Sequence, residues 1–178
     1  MEPEEHAAER QRYLTTYVQD HRAGAEAGVR LARRCHDHAP DPTTAAELAR
    51  IVEEIEADRV SLAAIMEGLG VEASKVKDVA GLAAERIGRL KLNGRLVRTS
   101  PLSVVVELEG LIGAVSVKRE LWATLSVLAG SRAAPDDRLA TLVARADDQR
   151  SRLQAIHARV VTALFGSAPV SPAGEGAS

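Results

Sequence analysis

The chain has one cysteine, Cys35, so it can form neither an internal disulfide nor a cysteine-rich metal centre. Aromatics are almost as scarce, with two tyrosines, one phenylalanine and one tryptophan. Ferredoxin-like, zinc-finger and disulfide-stapled scaffolds are excluded on these grounds. No uncharged apolar run approaches the ~18 residues of a membrane span. The opening Met1-Glu2-Pro3-Glu4-Glu5 is acidic where a secretory or mitochondrial leader is basic, and a cytoplasmic protein is expected. Gly-rich phosphate loops, Walker-type sequences and nucleophile elbows do not occur, which weighs against catalysis.

What is present is helix-forming. The 178 residues are 46% hydrophobic and 27% charged with a formal net charge of -2, the profile of one soluble domain with a sizeable core. Alanine (31) and leucine (19) dominate, and β-branched residues cluster only at Val104-Val105-Val106. Arginine outnumbers lysine 19 to 4, a bias of GC-rich genomes rather than of a function. The fold class is all-α.

Punctuation sets the segments. A first helix runs from about Glu5 to Asp37 and is broken by Pro40 and Pro42. Thr43 or Thr44 caps a second, which reaches about Leu69 and stops at Gly70. Ser100-Pro101 is an N-cap followed by proline at the first helical position, opening a third helix to about Ala129 before Gly130. Pro135-Asp136 starts a fourth that reaches Phe165. One helical domain, 1–165, is followed by a Gly/Ser/Ala/Pro-rich tail, 166–178, expected to be disordered. The connection between the second and third helices is too long for a plain loop. Val76, Val79, Ala83, Ile87 and Leu90 give it a helix of its own, ending at Asn93-Gly94. The alternation Leu90 to Leu96 is also compatible with a small hairpin. The pattern predicts a ferritin-like four-helix bundle with an additional helix in the long crossover between helices 2 and 3. An up-down array of five helices is the alternative.

A polar or cationic residue interrupts each predicted seam. The first reads Leu14, Val18, His21, Ala25, Gly28, Ala32, Cys35 and the second Leu48, Val52, Ile55, Arg59, Leu62, Met66, Leu69. The third reads Val104, Leu108, Leu111, Val115, Lys118, Trp122, Leu125. The fourth reads Leu139, Val143, Ala146, Arg150, Leu153, His157, Val160, Leu164. With antiparallel pairing within each hairpin, His21 falls level with Arg59, and Lys118 beside Asp147, all near mid-bundle. Gly24, Gly28, Gly110 and Gly113 are expected to permit close helix contact.

The chain resembles a ferritin-like protein and, more narrowly, a family of actinobacterial helical proteins. The resemblance is carried by Tyr17-Val18-Gln19-Asp20-His21-Arg22-Ala23-Gly24-Ala25, Glu54-Ile55-Glu56-Ala57-Asp58-Arg59, Gly88-Arg89-Leu90-Lys91-Leu92-Asn93-Gly94-Arg95-Leu96 and Glu107-Leu108-Glu109-Gly110-Leu111. It covers most of Tyr13 to Leu164 and implies a fold, not a reaction.

Ferritin-like proteins build a di-metal site mid-bundle from glutamates and Glu-x-x-His pairs. Here Glu56-x-x-Arg59 and Asp147-x-x-Arg150 put arginine where the imidazole belongs, and Gln154-x-x-His157 replaces a carboxylate by an amide. A guanidinium has no lone pair for a metal. The expectation is a paired ionic cluster of Asp20, His21, Glu56, Asp58, Arg59, Glu109, Lys118, Asp147, Arg150 and His157, with no metal and no cofactor. Such pairs fix register without necessarily adding stability. His21 reads as a hydrogen-bonded core histidine, or as a switch paired with Asp58. Arg59, Lys118 and Arg150 lining an anion cavity is a lesser reading.

Two surface features remain. Cys35-His36-Asp37-His38 holds metal-ligand types at a helix end, but without a distant partner it reads as a core thiol beside dipole-complementing histidines. From Lys75 to Arg98 the crossover is strongly basic, with Arg86, Arg89, Lys91, Arg95 and Arg98 as a candidate surface for an acidic partner or a second copy. Nucleic acid is disfavoured by the lack of nearby aromatics and the acidic total. The leading reading is a non-catalytic bundle acting through a protein partner or self-association. The alternative is a divergent metal-dependent oxidoreductase using Asp20, His21, Glu56, Asp58, Glu109 and His157.

Overall fold

The computed structural model describes residues 3–71, 100–129 and 136–166, and all regular secondary structure among them is helical. The elements are α1 (Pro3–Asp37), α2 (Pro42–Gly68), α3 (Pro101–Ala129) and α4 (Asp136–Phe165).

Local chemistry explains the ends. Asp41, not Thr43 or Thr44, caps α2: its carboxylate accepts from the Thr44 backbone N–H at 2.9 Å and from Thr44 Oγ1 at 2.7 Å. Pro42 follows at the first position, where no N–H is missed. The two bonds from Thr44 hold the Asp41 carboxyl below its usual range. At the other end Gly70 takes φ +67. The Gly70 N–H bonds the Glu67 carbonyl and the Val71 N–H the Met66 carbonyl, both at 3.0 Å, which closes α2 with a Schellman turn at the glycine the sequence marked. Ser100 caps α3 as expected, its hydroxyl accepting from the Ser103 N–H at 3.3 Å ahead of Pro101.

Cross-helix pairs define the wiring. Arg33 meets Glu56 and Glu26 meets Arg59, so α1 and α2 are antiparallel. Glu109 meets His157 and Arg119 meets Asp147, so α3 and α4 are antiparallel. His38 reaches Glu107 while Leu31 lies over Gly110, so α1 and α3 are antiparallel too. Glu47 meets Arg159 and Glu54 meets Arg152, which does the same for α2 and α4, although these two backbones approach less closely than the other neighbours. Every adjacent pair is thus antiparallel, and the diagonals α1/α4 and α2/α3 are parallel. Val71 and Ser100 therefore lie at opposite ends of a bundle about 40 Å long, taking 1.5 Å per residue of the 27-residue α2. The helix expected at Val76 to Leu90, the Asn93-Gly94 turn, Gly130, Pro135 and the tail beyond Gly166 lie outside the described residues.

The core corrects three seams, and on α1 Val29 is buried beside Val18, Ala32 and Cys35 while the expected His21 and Gly28 are only partly covered. All seven positions expected on α3 line the interior, from Val104 to Leu125, with Lys118 the most exposed of them. On α2 the buried seam is Leu48, Ile51, Ile55, Asp58, Leu62 and Ile65, and on α4 it is Leu139, Leu142, Ala146, Gln149, Leu153, Ile156 and Val160. In both helices alternate seam positions lie one residue earlier than the sequence pattern indicated, except that Met66 is buried as expected, beside Ile65. The effect is to place Asp58 and Gln149 inside, where Arg59 and Arg150 were expected. The glycine expectation also needs correcting. A Cβ at Gly110 would lie 3.4 Å from Leu31 Cδ2, but nothing stands within 4 Å of one at Gly24, Gly28 or Gly113.

Candidate functional site

The interior polar group centres on Asp58, whose side chain is 1% exposed. Asp58 Oδ2 accepts from Lys118 Nζ at 2.5 Å and from Gln149 Nε2 at 3.2 Å. Lys118 Nζ also donates to Gln149 Oε1 at 2.6 Å, closing a three-membered ring of polar groups drawn from α2, α3 and α4. Arg145 Nη2 closes on the other oxygen, Asp58 Oδ1. One buried carboxylate thus faces two cations. Burial pushes the Lys118 amine below its usual value, Asp58 pulls it back up, and Arg145 pushes it down again. Trp122, one turn along α3 from Lys118, is fully buried. Its indole N–H has no acceptor among the described residues.

Outward from this group runs a ladder between α2 and α4. Arg145, Arg152 and Arg159 recur every seven residues along one stripe of α4 and meet Asp58, Glu54 and Glu47 in turn. Arg152 Nε also pairs with Asp148 at 2.8 Å on its own helix. Arginine suits this seam because its long stem and forked head bridge backbones that stand apart, as charged flanking positions do in coiled coils.

The other expected members of the cluster are dispersed. Arg59 pairs with Glu26 at 3.2 Å and Glu56 with Arg33 at 2.6 Å, both on the outer α1–α2 surface. Asp147 holds Arg150 at 3.1 Å and Arg119 at 3.4 Å on the outer α3–α4 surface. His157 Nε2 lies 3.3 Å from Glu109 at the same surface. Asp20 is exposed. His21 stands edge-on to the Tyr17 ring, centroids 4.5 Å apart, and burial lowers its pKa against the opposing pull of Asp20. Asp58 is engaged by Lys118, Gln149 and Arg145, not by His21. Gln149, Arg145 and the ladder partners were missed by the sequence reading; the heptad spacing of Arg145, Arg152 and Arg159 opposite Glu47 and Glu54 is the signal that reveals them.

These residues do not fit a di-metal centre. Among the described residues the one deeply buried carboxylate, Asp58, already holds an ammonium, a guanidinium and an amide, while Glu56 lies on the α1–α2 surface, Glu109 and His157 on the α3–α4 surface, and Asp20 is exposed. Among the described residues no group of three His, Cys, Asp or Glu side chains is placed to hold a metal ion. At the α1 terminus, His38 Nδ1 lies 2.8 Å from Glu107 and His36 Nδ1 3.1 Å from Asp37. Burial, with Glu107 nearby, pushes the Cys35 thiol up to about 12, which makes it inert. Arg86, Arg89, Lys91, Arg95 and Arg98 fall outside the described residues. Among the described residues no helix is long and apolar enough to cross a membrane. Comparison with family models, curated proteins and solved structures returned no match.

Proposed function

We propose that this chain is a non-catalytic, cytoplasmic helical bundle of ferritin-like wiring, akin to the actinobacterial helical proteins it resembles, that works through protein contacts. The antiparallel neighbours and the long connection between the second and third described helices support the wiring. The observation that carries the function is the occupied state of Asp58. Asp58 is enclosed by Lys118, Arg145 and Gln149, and its two cations repel any third. The interior is committed to holding four helices in register, which leaves the surface to do the work.

The test is elemental analysis of the purified chain after expression with supplemented iron, manganese and zinc, joined to thermal melting with and without a chelator. Substoichiometric metal and an unchanged melting temperature are expected. One or two ions per chain, lost in Glu56→Gln, would sink this reading in favour of the metal-dependent oxidoreductase.

A further inference from the structure

Ala23 is buried on the wrong side of its helix. At about 100° per residue it stands half a turn around α1 from Leu14 and from Ala32, whose line faces the core, so it lies on the outer side. Among the described residues α1 packs against α2 and α3 alone. Yet Ala23 is only 6% exposed, and Gln19, Arg22 and Ala27 around it are partly covered. The cover is local: Thr16 and Arg30, on the same outer line to either side, are exposed, as are the outward alanines Ala64 of α2 and Ala155 of α4. This is the exposure of a single chain, so what covers Ala23 belongs to the same chain.

We propose that residues 72–99, the passage from α2 to α3, cross the outer side of α1 at Ala23 and Ala27 and dock there through Val79-Ala80-Gly81-Leu82-Ala83-Ala84. Position selects the passage. Its ends, Val71 and Ser100, adjoin diagonal helices, and α1 is the neighbour of both. By the Glu26–Arg59 and Arg33–Glu56 pairs, Ala23 stands about 10 Å along the bundle from Val71. By the Leu31–Gly110 and His38–Glu107 contacts, it stands about 30 Å from the level of Ser100. The chain from Val71 to Val79 spans up to about 27 Å, enough to round α1, and that from Ala84 to Ser100 covers the remaining descent. The six residues 130–135 are tied at both ends to α3 and α4. The chain beyond Gly166 leaves α4, the diagonal helix, about 30 Å from the level of Ala23. Composition selects the docking run. Residues 79–84 form the longest uncharged stretch of the passage, and small side chains on both partners let the two backbones approach closely.

Thiol labelling of the full chain tests the proposal. Ala23→Cys should react at least about tenfold more slowly than Thr16→Cys or Arg30→Cys. Oxidation should join Ala23→Cys to Leu82→Cys within one chain, whereas Thr16→Cys with Leu82→Cys stays unjoined. Replacing residues 79–84 by a Gly/Ser run of equal length should bring Ala23→Cys to the Thr16→Cys rate. Cys35, inert while the bundle is folded, reports in each variant that α1 is still packed. Labelling of Ala23→Cys as fast as Thr16→Cys in the otherwise unaltered chain overturns the proposal. So does protection that survives the replacement, which would assign the cover to another segment, or protection that grows with protein concentration, which would assign it to a second copy. None of these results depends on metal content, so the proposal stands or falls apart from the protein-contact reading above.

Discussion

Removing the Asp58 carboxylate is the sharpest perturbation available. Asp58→Ala leaves the Lys118 ammonium, 15% exposed, without its acid, and loosens Arg145, which at 31% exposure can turn partly to water. Deleting one partner of a buried ion pair costs about 3–5 kcal/mol. At about 2–4 °C per kcal/mol for a chain of this size, melting should fall by roughly 6–20 °C. Lys118→Met should cost less, about 1–2 kcal/mol, because Asp58 keeps Arg145 and Gln149. Combining Asp58→Leu with Lys118→Met replaces the pair by apolar volume and should lie within about 2 kcal/mol of the parent. With Asp58→Leu alone costing about as much as Asp58→Ala, the cycle of Asp58→Leu and Lys118→Met predicts a coupling of at least about 2 kcal/mol. Urea denaturation followed by fluorescence of Trp122, the single tryptophan and fully buried, provides the readout. Costs that simply add in the double variant, or an Asp58→Ala cost below about 1 kcal/mol, would refute the idea that the interior depends on this pair.

Other outcomes follow from named sites. Gly24→Ala and Gly28→Ala meet open space inside α1 and should each raise stability by about 0.5–1 kcal/mol in chemical denaturation, against a smaller gain at Gly110→Ala, where Leu31 must give way. Cys35 should resist a thiol reagent in the folded chain and label in step with unfolding, since its thiolate forms only near pH 12. His21 has a folded pKa below 6.5, so the unfolded chain takes up the proton first. Its contribution to stability is complete above pH 6.5 and is lost as pH falls through the lower folded value; His21→Gln should flatten that part of the pH–stability curve.

Much of the architecture was legible because helix ends have local causes. Ser100-Pro101 and Gly70 act through their own hydrogen bonds and backbone angles, so no knowledge of the tertiary fold was needed. The seams were harder, since a stripe spaced four-three and one spaced three-four share every second residue. In α2 and α4 both companions of the shared positions are apolar at several levels, Ile51 beside Val52 and Leu142 beside Val143. The choice matters where one companion is polar, and there it exchanged Asp58 for Arg59, Gln149 for Arg150 and Ile156 for His157. Burial prefers the shorter, neutral or pairable group, while arginine reaches water from the flank by its stem. On α3 the stripe Leu108, Leu111, Val115, Trp122 and Leu125 is buried as the pattern indicated, which carries Lys118 inward with it. The ladder was not visible from seam positions at all, because its arginines stand beside the seam rather than on it.

The wiring divides the molecule into two hairpins joined by a single covalent passage, residues 72–99. Across the divide, acids on the first hairpin, Asp58, Glu54 and Glu47, answer cations on the second, Lys118, Arg145, Arg152 and Arg159. His38 and Glu107 carry the reverse sign at the α1–α3 contact. Each hairpin is therefore addressed to the other by charge as well as by shape. A gene split within that passage would encode two fragments able to reassemble by complementation, and inverting the signs on both would create a second pair that ignores the first.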